Sequence, residues 1–196
     1  MNARRIAHVC VDVQTMFATG TDWHAPWLNR VLPAIEALVE RDPGHTVFTR
    51  FIPPDQPEEA GGAWQDYYRR WPDMTGARLP AEMLDVVPAL RRYIPPAQQL
   101  DKSVYSPWLQ TRLHHRLRAD GIGTLVVSGG ETDVCVLSTV LGAIDLGYRV
   151  ILPTDAVFGS ADQTHEAALV LYRSRFGQQL MASTTQDILD NWAELA

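Results

Sequence analysis

Short apolar runs alternate with helical patterns along the chain. Residues 6–13 are almost continuously apolar, which is typical of a strand buried on both faces of a sheet. The next pattern, at 26–41, repeats apolar residues at helical spacing behind a proline. The alternation predicts further strands at 46–51, 98–101, 124–128, 149–152 and 179–182. It predicts further helices at 109–120, 134–146, 160–176 and 186–195.

This order of elements predicts an α/β fold with three αβα layers. A strand followed by a helix and another strand, repeated at this spacing, favours a central, mostly parallel sheet with helices on both faces. Two local signals define helices within it. Leu109, Leu113 and Leu117 form one helical face, and residues 160–163 have the form of a capping box.

The segment 52–80 interrupts the alternation and is rich in proline and glycine. Within it, Trp64, Tyr67, Tyr68 and Trp71 share one face of a short predicted helix. A long aromatic insertion is typical of a functional lid or a subunit interface, although such rings can also simply pack on the sheet. We interpret residues 1–196 as one domain with this insertion.

Composition narrows the function classes. The chain has 196 residues and a formal net charge of −6, with no basic cluster, so we expect no nucleic-acid partner. No apolar run approaches the length of a membrane span, and we expect no signal peptide and no membrane partner. The two cysteines do not form a disulfide framework, which favours a cytoplasmic location.

Cys135 is the most informative single residue. It follows a predicted strand and the paired glycines Gly129 and Gly130, and it stands in the first turn of a predicted helix. A thiol at a helix N-terminus is expected to have a lowered pKa and to be a good nucleophile. On this feature alone, a buried core cysteine is the more common interpretation, and the rest of the chain reverses that preference.

Asp12 and Lys102 add a base and a cation. Each stands at the end of a predicted strand, and ligands of open α/β sheets bind outside the carboxyl ends of the strands. We therefore expect Asp12, Lys102 and Cys135 to converge there. Asp12 could accept the thiol proton, and the Lys102 charge would keep a buried carboxylate ionised.

These motifs together resemble the isochorismatase-like cysteine hydrolase family. The segments that carry the resemblance are 11–14 with Phe17, 101–106, 129–136, 146–150 and 154–156. The resemblance implies a three-layer fold with about six parallel strands and an Asp–Lys–Cys triad at Asp12, Lys102 and Cys135. It also implies a cis peptide before Glu131, an oxyanion hole formed by the N–H groups of Glu131 and Cys135, and a homo-oligomer, either a dimer or a tetramer.

The sequence departs from one branch of that family. Nicotinamidases of the family bind a metal through an Asp-x-His and a further His after the second strand, whereas residues 50–55 contain no histidine. We therefore expect neither a metal nor another cofactor. Glu131 replaces the small or apolar residue often found at that position, and whether it faces the substrate stays open.

We interpret the chain as a hydrolase that cleaves a C–N bond of a small amide, ureido or carbamoyl compound through a thioester on Cys135. The alternatives are vinyl-ether hydrolysis by Asp12 and Lys102 without covalent catalysis, and a catalytically silent binding or oligomeric member of the fold. A flavodoxin-like phosphoacceptor role for Asp12 is weaker, because it leaves Cys135 unexplained.

The aromatic insertion, together with nearby strand ends, is expected to supply the substrate pocket. Arg50 could orient a substrate carboxylate by a bidentate contact, or it could form a structural salt bridge. The substrate-binding residues predicted from the sequence are Gln14, Phe17, Arg50, Trp64, Tyr68, Tyr105 and Trp108.

Overall fold

A computed structural model describes residues 5–195. The strands are β1 (Arg5–Val11), β2 (Thr46–Phe51), β3 (Gln98–Lys102), β4 (Ile122–Gly130), β5 (Arg149–Pro153), β6 (Val157–Phe158) and β7 (Leu180–Ser183). The helices are α1 (Thr15–Ala18), α2 (Leu28–Arg41), α3 (Ala63–Arg70), α4 (Pro88–Arg91), α5 (Leu113–Ala119), α6 (Cys135–Asp145), α7 (Asp162–Arg175) and α8 (Thr185–Asp190).

The strands form one parallel sheet in the order β3-β2-β1-β4-β5-β7. Successive residues of β1 point to opposite faces, and both faces are buried. Ile6 and Cys10 pack in the apolar cluster that contains α2 and α8, whereas Val9 packs in the cluster that contains α5, α6 and α7. The predicted α/β fold with helices on both faces of a parallel sheet is therefore confirmed.

The sheet has seven strands because the two-residue strand β6 pairs with the end of β4. The sequence pattern did not predict β6, which is too short to show a period. The first strand ends at Val11 and not at residue 13, because Asp12 has a φ of 49° and leaves the extended conformation.

Three helix predictions need correction. Leu109 lies outside α5 and is 78% exposed, so only Leu113 and Leu117 form the buried face of that helix. The capping box at 160–163 is also wrong, because the residue that precedes α7 is Ala161 and no side chain caps that end. The last helix, α8, is shorter than the predicted 186–195 and ends at Asp190.

The segment 52–80 contains α3 between the short 3-10 helices Pro57–Glu59 and Pro72–Met74. Its aromatic residues pack with the cluster on the α2 face of the sheet, and Tyr68 is fully buried there. None of the helices within residues 5–195 combines the length and apolar character needed to span a bilayer.

Candidate active site

The ends of three elements bring Asp12, Lys102 and Cys135 together. Asp12 follows β1, Lys102 ends β3, and Cys135 is the first residue of α6. Because β2 alone separates β1 from β3, and β4 on the other side of β1 leads into α6, all three side chains reach the carboxyl edge of the sheet. Each of the three is buried.

Asp12 is held from two sides. Its Oδ1 accepts a hydrogen bond of 2.6 Å from Thr49 Oγ1 in β2, and its Oδ2 accepts one of 2.6 Å from Lys102 Nζ. Its φ of 49° lies in the left-handed region, which Asp tolerates better than most residues. Such a backbone costs on the order of 1 kcal/mol and persists where the surroundings fix it.

Lys102 is buried as an ion pair with Asp12, and both side chains are completely inaccessible. Burial lowers the pKa of Lys102, but the Asp12 carboxylate and the nearby Cys135 side chain outweigh that effect, so the pKa is raised overall. Nζ also donates to the Val104 carbonyl at 3.2 Å and lies 5.1 Å from the centre of the Phe51 ring. Lys102 is therefore a fixed cation.

The pKa of the Cys135 thiol differs from the expectation drawn from the sequence. Burial and the Asp12 carboxylate raise the pKa of the thiol well above its ordinary value, although the Lys102 charge acts in the opposite direction. The predicted lowering of the pKa at a helix N-terminus is therefore wrong. A raised pKa favours the protonated thiol, so we expect its reaction as a nucleophile to require a base.

Gly129 and Gly130 belong to the end of β4, which extends beyond the predicted strand at 124–128. Gly129 has a φ of 101°, and a Cβ there would lie 2.1 Å from the Val11 carbonyl oxygen. A Cβ on Gly130 would lie 2.1 Å from the Phe158 ring. Glycine is needed at both positions because β1 and β6 approach β4 closely.

The loop between β4 and α6 presents two free donors. The Gly130–Glu131 peptide bond is cis. Within residues 5–195 no group accepts a hydrogen bond from the backbone N–H of Glu131 or of Cys135. Cys135 stands at the start of α6, where backbone N–H groups lack helical partners and the helix dipole favours an anion.

Helix α7 fixes this loop from behind. Tyr172 donates a hydrogen bond of 2.7 Å to the Thr132 carbonyl, and the Thr132 hydroxyl lies 2.8 Å from His165 Nδ1. The Thr132 N–H also donates to the Phe158 carbonyl at 2.8 Å. These buried contacts give the two free N–H groups a fixed orientation.

A cavity of about 340 Å³ opens onto the thiol. It falls within the size range of small-molecule sites, near the lower end. Its walls are mainly aromatic, with two carboxylates among them. The lining residues are Phe17, Asp22, Trp23, Phe51, Tyr67, Trp71, Tyr105, Glu131, Val134, Cys135 and Ser160.

Of the substrate-binding residues predicted from the sequence, Phe17 and Tyr105 line this cavity. Gln14 does not, because its amide bonds the main chain of Phe51 in both directions. Arg50 is also occupied elsewhere, since it forms a bidentate ion pair with Asp101 at 2.8 Å for each contact. Of its two predicted roles, the structure shows the salt bridge.

Trp64, Tyr68 and Trp108 do not line the cavity. Trp64 packs against Tyr105 with ring centres 4.7 Å apart, and Tyr68 is buried behind it. Trp108 lies on the α6 side, where its indole N–H donates to the Thr139 carbonyl at 2.9 Å. Their prediction as substrate contacts is not supported by their positions.

Several residues of the site were not predicted as site residues. Thr49 looks like an ordinary strand residue, and only its pairing next to β1 places it on Asp12. Asp22 and Trp23 lie in a loop between α1 and α2 without a recognisable pattern. Tyr67 and Trp71 are different, because the aromatic spacing in 52–80 identified them as members of the insertion face.

A resident metal does not fit this arrangement. Within residues 5–195 no group of three or more His, Cys, Asp or Glu side chains is placed to hold a metal ion. The end of β2 holds Arg50 and Phe51, and Arg50 is an ion-pair partner of Asp101 and Asp85.

The chain belongs to the Isochorismatase domain family, whose model matches residues 6–184. It is 27% identical to the maleamate amidohydrolase of Pseudomonas putida over 200 residues, covering 98% of this chain and 89% of that protein. It is 28% identical to nicotinamidase 3 of Arabidopsis thaliana, covering 86% of this chain and 81% of that protein.

Solved structures share the fold. The N-carbamoylsarcosine amidase of Thermoplasma acidophilum superposes with a TM-score of 0.72 at 26% identity, covering 92% of this chain and 96% of that one. A cysteine hydrolase from Pseudomonas syringae superposes with a TM-score of 0.83 at 20% identity, covering 98% and 94%. The second likeness concerns the fold alone.

Proposed function

We propose that this protein is a cysteine hydrolase that cleaves the C–N bond of a small amide, ureido or carbamoyl compound. The observation that carries the proposal is the position of the Cys135 thiol at a small cavity, next to the buried Asp12–Lys102 ion pair. Membership of the Isochorismatase domain family and similarity to a maleamate amidohydrolase and a nicotinamidase support the same class of reaction.

In the first half of the reaction, Cys135 Sγ forms a bond to the substrate carbonyl carbon while Asp12 takes the thiol proton. The carbonyl oxygen becomes an oxyanion, which the free N–H groups of Glu131 and Cys135 bind. Such a donor typically contributes about 3 kcal/mol to the transition state. Asp12 then gives its proton to the leaving nitrogen as the C–N bond breaks, which leaves a thioester.

In the second half, Asp12 takes a proton from water, whose oxygen attacks the thioester. The C–S bond breaks, the acid product leaves, and the proton returns to the thiol. Lys102 stabilises the Asp12 carboxylate each time the proton is elsewhere. Thr49 keeps the carboxylate in one orientation, so that the same oxygen can serve both halves.

The test is a screen of small amides, ureido acids and carbamoyl compounds for ammonia release, followed by rapid quenching and intact-mass measurement. We expect an adduct with the mass of the acyl group on the peptide that contains Cys135. Ammonia release without such an adduct, under conditions where deacylation is slowed, would contradict the covalent mechanism and favour direct attack of water on the substrate. Absence of turnover and of any adduct would favour a silent binding member.

Metal removal is expected to leave activity intact. The end of β2 offers Arg50 in an ion pair rather than histidine ligands, so the proposed reaction needs no metal. Prolonged dialysis against a chelator, with metal content measured by mass spectrometry, checks this. Loss of turnover together with a stoichiometric metal, and its recovery on adding that metal back, would contradict it.

A cytoplasmic homo-oligomer, either a dimer or a tetramer, stays a prediction for this chain. A small molecule is the proposed substrate, and neither nucleic acid nor a membrane is a proposed partner. Sedimentation at several protein concentrations checks the assembly state.

A further inference from the structure

We infer that the cavity at Cys135 selects substrates that carry a positive charge, such as a protonated amine, at the end remote from the cleaved C–N bond. This inference rests on the proposed function only for the reaction itself, because the charge preference concerns binding. It is derived from two properties of the cavity walls, namely the sign of their charges and the nature of their rings.

The charged residues of the wall are both acidic. Asp22 and Glu131 line the cavity, and no lysine, arginine or histidine is among its lining residues within 5–195. The nearby Lys102 charge is compensated by Asp12, with both side chains inaccessible. Asp22 forms no ion pair with any residue from 5 to 195. The wall therefore carries two uncompensated carboxylates.

The negative charge of Glu131 affects the pKa values of several other groups in the cavity wall. Burial is the main cause of the raised pKa values of the Tyr67 and Tyr105 phenols and of the Cys135 thiol, and the Glu131 charge raises all three further. Glu131 is anchored, since its Oε2 accepts a hydrogen bond of 2.7 Å from the Ser160 N–H. An anionic ligand in this space would be repelled by the carboxylates, and a cationic ligand would be attracted.

The remaining walls suit a cation as well. Phe17 and Trp23 lie with ring centres 6.3 Å apart, and Trp23 and Tyr67 with ring centres 5.7 Å apart. The faces of such rings attract ammonium groups, and Trp is the strongest. Arg70, which is exposed, already lies 5.4 Å from the Trp71 ring.

Binding alone tests the charge preference. Benzylammonium, benzyl alcohol and benzoate are titrated against the intact protein, and the tryptophan fluorescence is recorded. We expect benzylammonium to bind at least about tenfold more tightly than benzoate, with benzyl alcohol between them, and the difference to shrink as salt is added. Equal affinities, tighter binding of benzoate, or no binding of any of them up to about 10 mM would overturn the inference.

Two substitutions locate the effect. Asp22→Asn and Glu131→Gln remove one charge each, and Gln at 131 retains an oxygen for the Ser160 N–H. Each is expected to reduce the benzylammonium-to-benzyl-alcohol affinity ratio by about threefold to tenfold. Asp145→Asn makes the same change in net charge at the far end of α6 and should leave the ratio unchanged. An equal effect in all three variants would assign the preference to net charge and overturn the site.

A matched substrate series separates this inference from the proposed function. The series is 4-(aminomethyl)benzamide, 4-methylbenzamide and 4-carbamoylbenzoate, with ammonia release as the readout. We expect kcat/KM to decrease in that order. Turnover that is equal, or best for the anion, overturns the charge preference and leaves the hydrolase in place. Preferred binding of the cation with no ammonia from any compound upholds the charge preference and counts against the hydrolase.

Discussion

Cys135→Ser is expected to reduce kcat by about a thousandfold or more, equivalent to roughly 4 kcal/mol of transition-state stabilisation. In the proposed mechanism the Cys135 thiol gives its proton to Asp12 as it attacks, and a serine hydroxyl would be a far weaker proton donor to the same carboxylate. The substitution changes one atom at a buried position, so the fold should be retained. Initial rates with the best amide from the screen, together with a thermal unfolding curve, measure both effects.

Cys10→Ala is the matched control for that experiment. Cys10 is the other cysteine of the chain, fully buried in β1, and burial raises the pKa of its thiol. The control should keep its turnover per folded molecule while losing a little stability. If Cys135→Ser retains more than about a tenth of the wild-type kcat, covalent catalysis by Cys135 is wrong.

Lys102→Ala is expected to abolish activity and to lower the free energy of unfolding by about 3–5 kcal/mol, since it leaves the Asp12 carboxylate buried without its cation. Asp12→Asn should also abolish activity, because an amide cannot accept the thiol proton. Denaturant unfolding and steady-state kinetics measure the two effects. Arg92→Ala is the control for stability, because its ion pair with Glu36 is exposed and is worth little.

Combining Lys102→Ala or Asp12→Asn with Cys135→Ser should add almost nothing to the loss in kcat that Cys135→Ser causes alone. Residues that act as one catalytic unit behave in this way, since the first removal already disables the step. Losses that multiply in the double variants would mean that Asp12, Lys102 and Cys135 act independently. A Lys102→Ala protein as stable as the wild type would contradict the role of Lys102 as the partner of a buried charge.

The parallel sheet was predictable because its strands are short and apolar and alternate with amphipathic helices. The approach of Asp12, Lys102 and Cys135 was predictable for a related reason, since the carboxyl ends of parallel strands share one edge. Strand β6 was not predictable. Its two residues form a strand only because they pair with Gly129 and Gly130, and that pairing is not local in the sequence.

Side-chain roles that depend on neighbours were harder to predict. Arg50 could equally have faced a ligand, and the alignment of β2 with β3 decides the matter by placing it opposite Asp101. The pKa shift of the Cys135 thiol was predicted in the wrong direction. The helix N-terminus can be recognised in the sequence, whereas burial and the adjacent carboxylate cannot. Asp22 and Trp23 belong to an irregular loop, where residue spacing carries no information about the direction of a side chain.

The cavity is assembled from two separable sets of residues. The groups proposed for the chemistry stand at the ends of β1, β3 and β4–α6, which the core of the sheet holds in place. Asp22, Trp23, Tyr67 and Trp71 come from the loop after α1 and from the 52–80 insertion. Exchange of those two segments is therefore expected to change which substrates bind, while the residues proposed for the chemistry stay in place. For protein engineering, the same division makes the two segments the natural targets of a library that seeks new substrates.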